Sequence, residues 1–190
     1  MIEEEYGDKV VFEPRVFMLR PEPDPKAVFN DYRRSNWERC NAQPESGDYR
    51  MWKNGGDYPI CSMPMAQAGL AARAQEPELW DAFHMSLLAA LFTHNRDISQ
   101  MEVLADVAEK SGLDVDLFRD EVASEFHRDQ AVREYTDAIN RGVTGIPTVV
   151  VNDEAMLVAA VPRENYRFVI NHVLENGELP KQTSQGLPQF

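Results

Sequence analysis

The stretch Gly142-Val-Thr-Gly-Ile-Pro-Thr-Val-Val-Val151 decides the reading of this 190-residue chain. Gly142 stops a helix whose apolar positions are Val132, Tyr135, Ala138 and Ile139. The chain then turns through Thr144-Gly145, and Ile146-Pro147 leads into the apolar run Thr148 to Val151. A proline just before a strand is a place for a cis peptide bond, or it opens the strand in trans; spacing alone leaves both open. Asn152-Asp153 supplies a turn, and Met156 to Ala160 returns as the second strand of a β-hairpin. Pro162 opens a helix carrying Tyr166, Val169, Ile170, Val173 and Leu174, and Gly177 ends it. The tail, residues 178–190, contains Pro180, Gly186 and Pro188 and is expected to be mobile.

Upstream of the hairpin, Ser62 to Arg141 reads as helix after helix. Ser62 caps a helix with Pro64 in its first turn. The next starts near Pro77 and places Leu79, Phe83, Leu87, Ala90 and Leu91 on one face. Ser99-Gln-Met-Glu102 has the spacing of a capping box, with Gly112 as the stop of its helix. Asp114 opens another. Residues 26–60 are irregular, with one helix expected from about Lys26 to Cys40 and a turn at Asn54-Gly55-Gly56-Asp57. Arg20-Pro-Glu-Pro-Asp-Pro25 is a connector in which no regular element continues. Val10 to Met18 alternates with a period near two and predicts a strand. Pro14 within it cannot donate to a ladder, which demotes the strand to an edge or a bulge. Glu3-Glu-Glu-Tyr-Gly7 reads as the last turn of a helix.

Composition excludes several classes. The formal net charge is −13, with 19 Lys+Arg against 32 Asp+Glu, so nucleic acid and anionic membranes are unfavourable partners. The densest basic stretch, Arg33-Arg34 with Arg39, sits among acids. No apolar run approaches the roughly 20 residues of a bilayer span. The N-terminus shows no basic segment followed by an apolar one, and a cytoplasmic location is expected. The two cysteines, Cys40 and Cys61, form neither a CxxC pair nor a zinc spacing, and His84, His94, His127 and His172 form no metal motif. No metal and no cofactor are expected.

The order helix end, strand, helical block, hairpin, helix is most of a thioredoxin-like module with a helical insertion. The chain resembles the DsbA-like family of thioredoxin-fold proteins, in particular its FrnE-like branch. The likeness is carried by Glu5-Tyr-Gly-Asp-Lys-Val-Val-Phe12, Arg15-Val-Phe-Met-Leu-Arg-Pro21, Leu88-Ala-Ala-Leu-Phe-Thr-His-Asn-Arg-Asp-Ile-Ser99, Leu104 to Asp114 and Gly142 to Thr148. The fold class implied is α/β: residues 1–20 and 142–177 make the thioredoxin-like part, and 21–141 the helical insertion with its connectors.

The resemblance implies thiol–disulfide exchange on protein, peptide or small-molecule disulfides, with glutathione among the expected partners. Family members attack with the first thiolate of a CxxC at a helix N-terminus, while a cis-proline loop holds the substrate strand. By position Gly145, Ile146, Pro147 and Thr148 are that substrate-binding loop. The departure is that this chain begins where the family's first helix ends, with no CxxC, no first strand and no catalytic residue. The expectation is that residues are missing upstream and that the chain as it stands is inactive, so the family points to an enzyme for which this chain holds no nucleophile. A homodimer is expected as one way to cover the strand edges left bare. Two alternatives stand beside this reading. One is a glutathione-dependent isomerase of the 2-hydroxychromene-2-carboxylate type, which shares the fold and places a serine where the first cysteine stands. The other is a non-catalytic module that holds an extended peptide at the proline loop.

The remaining side chains read as structural. Cys61 is a small residue before a helix cap and Cys40 a lone thiol. Met51, Met63, Met65 and Met85 are expected to fill core gaps rather than line a peptide groove, and Asp114 and Asp116 to serve as helix N-terminal charges rather than calcium ligands.

Overall fold

A hairpin forms over Thr148–Val151 (β1) and Ala155–Val158 (β2), antiparallel, with Val149 opposite Leu157 and Val151 opposite Ala155. Asn152 and Asp153 both have positive φ, 49° and 61°, and the Glu154 N–H donates to the Val151 carbonyl at 3.1 Å. The connection is three residues long, and asparagine and aspartate are the non-glycine residues that take the left-handed region most readily. The Ala159 N–H donates to the Pro147 carbonyl at 2.8 Å, which fixes the phase of the ladder. Thr148 and Val150 therefore fall in non-hydrogen-bonded pairs, and their own N–H and C=O groups point away from β2. The return strand was expected to run to Ala160; it stops at Val158, because Ala159 takes φ 67° and leaves the extended region.

The computed structural model describes residues 2–43, 46–53, 58–159 and 161–180. The expected turn at Asn54 to Asp57 and nearly all of the expected mobile tail lie outside them. The chain divides into two compact units, Met1–Arg15 with Ala138–Phe190, and Val16–Asp137.

In the first unit, helix α1 (Ile2–Tyr6) runs into a 3-10 turn at Gly7–Lys9, with Gly7 at φ 51°. The C-terminal helix, α8 (Arg163–Asn176), ends on Gly177 at φ 72°, whose N–H donates to the Val173 carbonyl at 2.8 Å. Tyr6 is buried, and its hydroxyl donates to Asn171 Oδ1 at 2.9 Å. One turn away Arg167 Nε donates to Glu5 Oε1 at 2.9 Å, and that hydrogen bond holds the Glu5 carboxyl below its ordinary range.

The strand expected at Val10 to Met18 is absent. Among the described residues the sheet holds β1 and β2 only, so this stretch has no ladder partner, and period-two alternation cannot make a strand by itself. Val11 is 91% exposed where a paired strand would be half-covered.

The second unit holds α2 (Asp31–Asn41), α3 (Met63–Gln75), α4 (Trp80–Phe92, after a 3-10 turn at Pro77–Leu79), α5 (Met101–Lys110), α6 (Val115–Ala123) and most of α7 (Glu125–Asn140). Helix α3 buries Ala66, Ala68, Ala71 and Ala72, small residues that let α6, α4 and α5 approach its backbone. Phe83 and Phe118 meet in that core with ring centroids 5.5 Å apart, among Leu87, Leu104, Val107 and Val122. A second cluster joins Met18, Cys61, Met63, Leu70 and Ala131. Met63 thus fills the core and Met65 packs against it, whereas Met85 is 64% exposed.

Helix starts depart from expectation at two serines. Ser62 stands at the N-cap of α3, yet its hydroxyl accepts from the Arg20 N–H at 3.1 Å instead of capping. Ser99 forms no capping box. Its hydroxyl and N–H both donate to Asp97 Oδ1, at 2.6 and 2.9 Å, so the local Asx turn takes the group the helix would have used, and α5 starts from Gln100. Asp114 does cap α6, accepting from the Leu117 N–H at 3.0 Å.

The irregular stretch before α3 is held by rings. Trp52 packs on Tyr58 at 5.2 Å, Tyr58 on Phe29 at 6.0 Å, Phe29 on Trp37 at 4.8 Å, and Trp37 on Phe92 at 5.0 Å. The expected helix is confirmed but starts at Asp31, capped by Asn30 Oδ1 accepting from the Arg33 N–H. Among the described residues no helix is long and apolar enough to cross a membrane.

Candidate functional site

Helix α7 ends as the sequence dictates. Gly142 takes φ 86°, and the N–H groups of Gly142 and Val143 donate back to Ile139 and Ala138, each at 2.9 Å. Val143 is buried and pins the start of the loop, while Arg141 Nη1 reaches Asp153 Oδ1 in the hairpin turn at 2.5 Å. Between these anchors Gly145, Ile146, Pro147 and Thr148 form one corner leading into β1, with Ile146 and Pro147 exposed, Gly145 and Thr148 half-buried, and a cis Ile146–Pro147 peptide.

The hydrogen bonding of the corner is uneven. Thr148 Oγ1 donates to the Gly145 carbonyl at 2.8 Å, and the Pro147 carbonyl accepts from Ala159. The Ile146 N–H and C=O have no hydrogen-bond partner among the described residues, and the Ile146 side chain is 53% exposed. A methyl group built on Gly145 meets nothing within 4 Å, and Gly145 does not use positive φ. Chemically the corner offers one free backbone donor and acceptor beside open space, the requirement for pairing with one residue of an extended chain.

The other sequence candidates do not gather here. Cys40 and Cys61 are free thiols, half-buried and buried, and the Cys61 Sγ lies 3.7 Å from the Pro21 carbonyl oxygen. His84 stacks on Trp80 with ring centroids 4.9 Å apart; burial holds its pKa below the ordinary value, against a smaller opposing pull from Asp81. Among the described residues no three metal-capable side chains cluster.

Two buried polar residues on α7 escaped the sequence reading. His127 is 1% exposed, with Nε2 at 2.5 Å from Glu121 Oε2. Glu134 is 8% exposed and accepts from the Val16 N–H at 2.8 Å, Gln130 Nε2 at 3.1 Å and Arg73 Nη2 at 3.2 Å. With Ala131 they lie at helical spacing on one buried face. The only sequence signal was polar residues at positions where that face should be apolar.

The cytosolic disulfide reductase DsbM from Pseudomonas aeruginosa superposes with a TM-score of 0.62 at 19% identity, over 85% of this chain and 82% of that one. A candidate protein disulfide isomerase from Nitrosomonas europaea superposes with a TM-score of 0.58 at 17% identity, over 64% of this chain; the match spans 61% of that protein's length. At such identities the likeness is one of fold. A family model described as the DSBA-like thioredoxin domain matches residues 60–170, more than half of the chain and the whole span from the start of α3 into α8. With the hairpin, the proline corner and the helical block in the family's order, the chain belongs to the DSBA-like thioredoxin domain family.

Proposed function

We propose that this chain serves thiol–disulfide exchange as the substrate-holding part of a DsbA-like oxidoreductase. Gly145, Ile146, Pro147 and Thr148 bind an extended segment of a protein, peptide or small-molecule disulfide. The observation that carries the reading is the Ile146 N–H and C=O, unpartnered among the described residues, on a residue 53% exposed. Pairing with both groups aligns a substrate backbone antiparallel to the corner. Residues 1–20 and 142–177 act as the thioredoxin-like part on this reading and 21–141 as the insertion, and the division of contacts into two units supports it. Two free cysteines support a reducing, cytoplasmic setting. The outward N–H and C=O groups of Thr148 and Val150 support a second copy of the chain as a strand partner.

Neither Cys40 nor Cys61 stands in a CxxC, so these 190 residues hold no nucleophile of the family's kind and no thiol turnover is expected from them alone. The test is an NMR titration of the chain with a disulfide-bridged peptide, followed beside a thiol-release assay. The expected result is amide shifts centred on Gly145 to Thr148, slowed exchange at the Ile146 amide and no released thiol. Shifts confined to the helical unit would overturn the binding site, and catalytic thiol release would overturn the assignment of its role.

A further inference from the structure

Far from the proline corner in sequence, the second unit gathers three arginines that form no ion pair among the described residues. Arg20 and Arg33 both lie over the Tyr58 ring, with guanidinium carbons 5.4 and 5.1 Å from its centroid, and Arg34 lies over Phe29 at 5.5 Å. All three are half-buried. In a chain with 32 acidic residues, none of the three forms an ion pair among the described residues, although Glu38 stands one helical turn after Arg34. An aromatic face returns only about 0.5–1 kcal/mol to a guanidinium at an exposed site, less than a charge-assisted hydrogen bond to an acid does. Arg20 Nε is moreover a buried donor with no acceptor among the described residues, an arrangement that costs about 1–3 kcal/mol.

The arginines are also held in place. The Arg20 N–H donates to Ser62 Oγ and its carbonyl accepts from the Ser62 N–H at 2.7 Å, while the Asp24 N–H donates to the Ile60 carbonyl at 2.9 Å. Arg33 sits in the first turn of α2, where a cation opposes the helix dipole, and one of its Nη1 protons goes to the Val28 carbonyl. Tyr58, the ring they share, is wedged between Trp52 and Phe29. Two guanidinium groups, each within 5.4 Å of one ring centroid, bring N–H donors to one part of the unit, and such forks suit the paired oxygens of a carboxylate or phosphate. The net charge of −13 disfavours an extended polyanion, while a small anion senses charge within about 8 Å.

We propose that Arg20 and Arg33, gathered on Tyr58, form a binding site for a small molecule bearing a carboxylate or phosphate group. Arg34 adds to the local positive potential. The test uses inorganic phosphate and succinate as probes, titrated at fixed ionic strength into the full chain and read by tryptophan emission, since Trp52 touches Tyr58, and by calorimetry. Saturable binding of either probe is expected, about tenfold or more weaker in Arg33→Gln and in Arg20→Lys, and unchanged in Arg119→Gln. Phosphate alone binding assigns a phosphoryl ligand, succinate alone a carboxylate, and both a general oxyanion seat. Arg20→Lys keeps the charge and the backbone bonds to Ser62 but removes the fork, so it decides the matter should Arg33→Gln fail to fold by circular dichroism. Binding of neither probe, or equal binding in wild type and a folded Arg20→Lys, overturns the proposal.

Discussion

Replacing Glu134 with alanine tests how the chain fastens the stretch that reads as a strand and has no ladder. The buried carboxylate accepts from the Val16 N–H at 2.8 Å, Gln130 at 3.1 Å and Arg73 at 3.2 Å. Removing it strands the Val16 N–H, which costs about 1–3 kcal/mol when buried. It also deprives Arg73 of a charged partner; breaking a buried ion pair costs about 3–5 kcal/mol, but the Arg73 side chain is 28% exposed, and solvent recovers part of that. A net loss of about 3 kcal/mol is expected. Glutamine, which keeps one acceptor oxygen and loses the charge, should cost about half as much. Urea unfolding gives the totals, and native-state amide exchange gives the location: Val16 should lose protection in Glu134→Ala before the amides of α5 do. If both variants unfold within 0.5 kcal/mol of wild type, or Val16 stays protected, this carboxylate is not what holds the segment.

Other outcomes follow from single groups. Glu5, held below its ordinary range by the hydrogen bond from Arg167, should titrate below about 4.3 by NMR and return to it in Arg167→Met. A depressed carboxylate stabilises the fold above its unfolded pKa, and that contribution is lost as pH falls through the folded value. His84, depressed by burial, follows the same sign: the unfolded chain takes up the proton first, so stability falls as pH drops below the ordinary value of 6.5 and stops falling below the folded value. His84→Phe should flatten that segment of the stability–pH curve, and an unchanged slope would remove His84 as its source. Gly145→Ala adds a methyl group where nothing stands within 4 Å and at a φ alanine accepts, so its urea midpoint should equal or exceed that of wild type. A loss above 1 kcal/mol would mean that the corner is tighter than described.

What the sequence made legible and what it hid divide along physical lines. The hairpin, the Gly142 and Gly177 stops and the Asp114 cap are decided by a few neighbouring residues, through φ, hydrogen bonding or turn type, and all are found. The four residues of the proline corner could be named because they are contiguous. Val10 to Met18 went astray because a strand is a relation between two segments, and alternation describes only one of them. Ser99 went astray because its N–H, which a capping box would give to Glu102, goes to Asp97 two residues back, and its hydroxyl donates there too. Glu134 and the Arg20–Tyr58–Arg33 group join residues from distant parts of the chain, and no local period announces such meetings.

The placement of the tryptophans has a practical consequence. Trp37, Trp52 and Trp80 all belong to the unit Val16–Asp137, and the unit that carries the hairpin and the proline corner holds none. Tryptophan emission therefore watches one half of the protein. A melting curve recorded by tryptophan fluorescence alone would report the helical unit's transition even if the hairpin unit had come apart earlier. The difference between that curve and one recorded by backbone dichroism measures whether the two halves unfold together, with no label added.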